Sequence, residues 1–181
     1  MKLINKKKVI FLLSGKGSNL LTILKKNLIS PKFTPVCLIS NNYISKKIKE
    51  LIFSNKLEIK IYERISKLTP KFIGECDIIF SVGYLKKIDP QIINNYEIIN
   101  LHPSLLPKYK GLMTHKRMLI NNEVSYGYSI HRVTKYLDDG EILSQKKKKI
   151  TSPHEFELSS NHKRLEHQSV YRDLIKFLNQ L

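Results

Sequence analysis

Over its first hundred residues the chain alternates short, continuous apolar runs with stretches of helical spacing. "VIFLL" (9–13), "PVCLIS" (35–40), "EIKIY" (58–62), "DIIFSVG" (77–83) and "EIINLHP" (97–103) read as strands. Residues 19–28, 45–54, 66–74 and 90–95 read as helices between them. A run that is apolar at every position has no solvent side, so it belongs to a sheet covered on both faces, and parallel strands need such helical crossovers. After Leu112 the rhythm changes. A helix from Thr114 to about Asn122 precedes "YGYSIHRVT" (126–134) and "EILSQKKKKI" (141–150), joined across "YLDDG". A short Asp/Gly turn between two extended runs predicts an antiparallel addition to the sheet. A last helix over about 154–179 carries Val170, Leu174, Phe177, Leu178 and Leu181 at spacings that would dock it on the sheet. At 181 residues the chain can bury one full core. The expectation is a single α/β domain over 1–181, with a mostly parallel sheet flanked by helices.

Charge narrows the function classes. The net charge of +17 invites a nucleic-acid-binding module, the non-enzymatic alternative. The lysines, however, are scattered over every expected helix face, and no aromatic residues interleave with them as a base-stacking surface requires. Nucleic acid is therefore not expected as a partner, and a lysine-rich composition is the simpler account. The run Lys146–Lys149 reads as a solvated strand edge. Cys37 and Cys76 stand alone in apolar settings, without metal spacing or a disulfide framework. The N-terminal apolar run, Val9 to Leu13, is too short for the core of a secretory signal, and no stretch reaches membrane-spanning length. A cytoplasmic, membrane-free protein is expected; nothing in the sequence sets its oligomeric state.

Three segments carry chemistry. The first strand runs into "SGKGSNL" (14–20), a glycine turn that would present backbone N–H groups to an anion at a helix start. Both the dinucleotide and the Walker patterns fail here, since Leu20 holds the third-glycine place and no Gly-Lys-Ser/Thr follows. A small phosphate cradle, with Ser18 and Asn19 as candidate caps, and a merely tight connection both remain open. The second segment, "NLHPSLLPKYKGL" (100–112), puts Asn100 and His102 on one side of a strand end, where ligands of open α/β sheets bind. Asn donates without titrating, and His donates or shuttles a proton near neutral pH. In the third segment, "YGYSIHRVTKYLDDGEI" (126–142), Asp138 and Asp139 precede Gly140 and look like ordinary turn residues, while His131 reads as packing or support.

Together, "SGKGSNL", "NLHPSLLPKYKGLMTH" and "GYSIHRVTKYLDDGEILSQ" resemble, in order and spacing, the phosphoribosylglycinamide formyltransferase family. The resemblance covers nearly the whole chain. It implies a Rossmann-like formyltransferase fold, with a phosphate-binding half over about 1–100 and a folate and catalytic half over about 101–181. It also implies transfer of a formyl group from the co-substrate 10-formyltetrahydrofolate to glycinamide ribonucleotide, in purine biosynthesis, without a metal. Asn100, His102 and Asp138 match the family's catalytic positions. Gly15, Gly17, Ser18, Asn19 and Glu166 match its ribonucleotide contacts. Leu85, Lys86, Ile88 and Val133, with Asn100, match its folate-lining positions, and Ser129 and His131 match supporting ones. Lys86 stands where the family usually has arginine, and a lysine lacks that planar fork. Lys87 replaces an apolar neighbour, and Asp139 and Glu141 stand where Gly and Pro are common. Hydrolysis of the formyl donor, or another formyl transfer on the same scaffold, is the enzymatic alternative.

Overall fold

The computed structural model describes residues 6–181. Residues 1–5, part of the N-terminal stretch and of the 1–181 domain considered above, lie outside the described residues. The chain divides into two compact units, one ending at Ile98 and one running Ile99–Leu181.

The first unit contains β1 (Lys8–Leu13), α1 (Ser18–Ile29), β2 (Thr34–Ser40), α2 (Lys46–Ser54), β3 (Lys60–Tyr62), β4 (Ile78–Ser81) and α3 (Pro90–Asn95). Its strands lie in the order β3-β2-β1-β4, every pair parallel. Val9 to Leu13 are all fully buried, as a run without a polar side requires. Phe11 centres this core, its ring 5.9 Å from that of Phe33 and 6.1 Å from that of Phe80. The helix expected over 66–74 does not form; only a single 3₁₀ turn, Pro70–Phe72, lies there. Pro70 drives the preceding Thr69 into an extended conformation, which no α-helix crosses. Cys37 is buried and Cys76 half-buried, and burial pushes both thiols up to about 11, which keeps them protonated and unreactive near neutral pH.

The second unit holds β5 (Ile98–His102, at whose start the division falls), α4 (Thr114–Ile120), β6 (Ser125–Arg132), β7 (Ile142–Lys149) and α5 (Glu155–Leu178). β6 pairs with β7 antiparallel, as the Asp/Gly turn predicts, and β5 pairs with β6 antiparallel as well. The β5–β6 register sets Asn100 opposite His131 and His102 opposite Ser129. Directly opposed residues share a face, so these four side chains point the same way. Val170, Leu174, Phe177 and Leu178 are buried on α5, each stabilising by about 1.5–3 kcal/mol. Leu181 departs from that expectation: it lies past the helix end and is 45% exposed. A polar group also fastens α5 to β6. The fully buried Tyr128 sets its hydroxyl 2.5 Å from Asp173 Oδ2 and 2.6 Å from Ser169 Oγ. Among the described residues no helix is long and apolar enough to cross a membrane.

Candidate active site

The end of β5 forms the centre of a polar cluster within the second unit. His102, only 4% exposed, lies with Nδ1 3.3 Å from Asp138 Oδ2 and Nε2 2.9 Å from the carbonyl oxygen of Tyr109. His131 reaches the same carboxylate, its Nε2 3.5 Å from Asp138 Oδ1 and 3.2 Å from Asn100 Nδ2. Its Nδ1 lies 2.8 Å from the Arg132 carbonyl, an acceptor, so Nδ1 carries a proton and in the neutral ring Nε2 accepts from the Asn100 amide. Asn100, His102 and Asp138, separated in sequence, thus meet around one carboxylate. His131 joins them as a direct neighbour of two members.

Asp138 reaches this position through its backbone. Its φ of 47° is left-handed, a region that Asp tolerates better than most residues. Instead of closing a local turn, its Oδ2 accepts the Gly111 N–H at 2.8 Å. Gly140, just beyond, permits the turn: a Cβ there would sit 1.9 Å from the Arg132 carbonyl oxygen. Burial works to raise the Asp138 pKa, but His131, the Gly111 amide and His102 together hold it below the usual range. The carboxylate is ionised at neutral pH. His102 goes the opposite way from what a neighbouring carboxylate alone would produce. Burial pushes its pKa down, and the Tyr109 carbonyl and Asp138 pull it back only in part.

Ser129 anchors the loop that leaves β5. Its hydroxyl donates to the Ser104 carbonyl at 2.7 Å and accepts from the Leu106 N–H at 3.0 Å and the Gln145 amide at 2.9 Å. It therefore fixes the "PSL" chain directly after His102 and does not touch Asp138.

The glycine turn lies in the first unit. Gly17 is the N-cap of α1, at φ 70°, and no side chain caps the helix; Ser18 and Asn19, expected as caps, belong to its start. A Cβ at Gly17 would collide with Ile48 Cδ1 at 2.7 Å and Leu13 Cδ1 at 2.9 Å, so only glycine brings the turn this close. Gly15 is exposed with open space around it, leaving the approach to the helix start clear. Ser14 holds the turn in place, its Oγ accepting from the Leu85 N–H at 2.7 Å and its carbonyl from the Asn42 amide at 2.6 Å. Leu85 is 65% exposed and Lys86 exposed, with Ile88 half-buried, so this loop offers apolar surface to solvent. Val133, in the second unit, is half-buried just past β6. Glu166 is 8% exposed on α5, with Oε1 3.8 Å from His162 Nε2.

The family model described as formyl transferase matches residues 7–174. The chain belongs to the formyl transferase family. It is 31% identical over 153 residues to a phosphoribosylglycinamide formyltransferase of Escherichia coli, covering 77% of this chain and 71% of that one. It is 30% identical over 194 residues to the enzyme of that name from Haemophilus influenzae, covering 96% and 88%. A solved phosphoribosylglycinamide formyltransferase from Coxiella burnetii superposes with a TM-score of 0.81 at 26% identity, over 97% of this chain and 88% of that one. The expected fold class and the expected enzyme class, a folate-dependent formyltransferase, are thereby both met.

Proposed function

We propose that this enzyme moves the formyl group of 10-formyltetrahydrofolate to the amino group of glycinamide ribonucleotide, a step of purine biosynthesis, with Asn100, His102 and Asp138 at the reacting atoms. The observation that carries the residue assignment is the convergence of two histidines and one half-buried, ionised aspartate beside an asparagine at a strand end. The substrate amine attacks the formyl carbon, and the carbonyl oxygen becomes an oxyanion of a tetrahedral intermediate. The Asn100 amide and the His102 Nε2–H are the donors to that oxygen, the latter shared with the Tyr109 carbonyl it already serves. The attacking nitrogen becomes more acidic as its bond forms. Asp138 accepts its proton, directly or through water, and the same proton passes on to N10 as the oxyanion re-forms the carbonyl and the C–N10 bond breaks. His131 keeps the Asn100 amide turned.

In the same reading, Gly15, Gly17, Ser18 and Asn19 take the ribonucleotide phosphate, and Glu166 holds its glycinamide end. Leu85, Lys86, Ile88 and Val133 line the folate together with Asn100. The division of labour follows the halves set out from sequence, about 1–100 for phosphate and about 101–181 for folate and chemistry. The reaction belongs in the cytoplasm. The test is His102→Ala. Removing one oxyanion donor costs about a hundredfold to a thousandfold in kcat. The variant is expected to lose at least that much turnover with its thermal midpoint close to wild type. Near wild-type turnover contradicts the assignment.

A further inference from the structure

The chain beyond Pro107 contains a brace that the reaction itself does not call for. Tyr109 is at φ 57°, a left-handed conformation that a bulky residue adopts only when its surroundings enforce it. Three contacts do so. Its hydroxyl donates to Glu123 Oε1 at 3.0 Å and accepts from the Asn121 amide at 3.1 Å. The Arg117 guanidinium lies 5.4 Å from its ring centre, and the same guanidinium donates to the Lys110 carbonyl at 2.6 Å. Glu123 is itself held by Lys108 Nζ at 2.7 Å, and these two partners keep its carboxyl below the usual range, hence charged. The whole arrangement ends in one functional contact, the 2.9 Å approach of the Tyr109 carbonyl to His102 Nε2.

We propose that Tyr109, locked by Glu123, Asn121 and Arg117, is a positioning residue whose main-chain carbonyl assigns the ring proton of His102 to Nε2 and leaves Nδ1 to exchange a proton with Asp138. Both groups facing the ring only accept, and a neutral imidazole has one N–H; the 2.9 Å contact to the Tyr109 carbonyl, shorter than the 3.3 Å one to Asp138, puts it on Nε2. Nδ1 is then the single nitrogen of His102 that gains or loses a proton, and it faces a carboxylate at 3.3 Å. Without the brace, Nδ1–H facing Asp138 would be the favoured neutral form. The donor at Nε2, which the oxyanion needs, would then exist only in the protonated ring. The groups that act on His102 are Asp138 in the turn after β6, His131 on β6 and Arg117 on α4. The Tyr109 carbonyl and Asp138 favour the protonated ring, whereas burial, His131 and Arg117 oppose it. His162 on α5 is also close enough to feel the His102 charge.

This rests on His102 acting at the reacting atoms, and its test is chosen to be separable from that assignment. Nitrogen-15 NMR of the histidine-labelled full chain reads the tautomer without any turnover. The wild type is expected to show Nε2 protonated and Nδ1 bare above the His102 pKa. Tyr109→Phe keeps the ring and the Arg117 stacking but loses both hydroxyl bonds. It is expected to give mixed tautomers and a lower His102 pKa, because a loosened carbonyl no longer favours the charged ring. In the formyl-transfer assay the same variant should lose about tenfold to a hundredfold in kcat, the scale of a small misplacement at a reacting group. KM should hold within about twofold, since a positioning contact acts on the transition state and not on ground-state binding, and the acid limb of the kcat profile should move to lower pH. Glu123→Gln, which removes the charge and keeps one acceptor oxygen for the Tyr109 hydroxyl, should move both readouts the same way by less. An unchanged tautomer and titration in both folded variants overturns the proposal, as does a wild-type spectrum with hydrogen on Nδ1. An inactive wild type with the expected spectrum would count against the formyl-transfer reading alone.

Discussion

At φ 47°, Asp138 holds a backbone position that Asp and Asn share, which makes Asp138→Asn an informative substitution: charge leaves while the turn survives. The asparagine would still face the Gly111 N–H with an oxygen. It would no longer favour the protonated form of His102, nor accept a proton. The expected outcome is a kcat loss of about a hundredfold or more, the scale of positioned acid–base catalysis. The His102 titration should shift to lower pH, and the thermal midpoint should change little. A wild-type kcat would remove Asp138 from the chemistry. In sequence, "YLDDG" gave no hint of this, because a left-handed Asp and a turn Asp are written alike. The family resemblance supplied what the local pattern lacked. His131 was legible by a route the motif alone did not offer. Once β5 and β6 are taken as antiparallel neighbours, the alternation in "SIHRV" puts Ser129 and His131 on the face of Asn100 and His102.

Among the elements, α5 carries an acid-sensitive joint. His162 is 1% exposed, its Nδ1 2.7 Å from His115 Nε2, with Tyr126 and Glu166 the other groups against it. Burial, then the neighbouring charges of His115 and His102, pushes its pKa down to about 3. The folded-state value lies below the unfolded one of about 6.5, so unfolded chains bind the proton first. Stability is therefore full above pH 6.5 and falls as pH drops from there towards 3. At about 1.4 kcal/mol per unit, His162 alone removes about 2 kcal/mol between pH 6.5 and 5. His115 and His102, also lowered, act in the same window, whereas the depressed carboxylates act only further down. Denaturant unfolding of wild type and His162→Leu at pH 7 and pH 5 checks this. The variant should lose less stability than wild type across that interval, and equal losses would contradict the assignment. Element boundaries were legible wherever apolar periodicity ran uninterrupted. They failed at 66–74, where Pro70 restricts Thr69; at the start of α1 the bounds agree within a residue, but Gly17 does by backbone geometry what a capping side chain was expected to do.

For the whole molecule, the charge of +17 is the feature least tied to the fold. Lys147, Lys148 and Lys149 are exposed on β7, as a solvated strand would have them, while Lys146 turns to Asp173 at 3.4 Å. Such a field favours the approach of anionic substrates in general and distinguishes none of them. The architecture was readable from the alternation of apolar runs, and the reaction class from three motifs spread over 14–145. The brace behind His102 was not readable, since Tyr109, Arg117 and Glu123 form no pattern until the loop folds back on α4. The central claim is transfer to an amine and not release to water. Its most direct measurement supplies wild-type enzyme with 10-formyltetrahydrofolate in the presence and absence of glycinamide ribonucleotide and follows folate release. Release that requires the ribonucleotide, with one formylated product for each folate freed, is the predicted result; release at the same rate without the amine would contradict it.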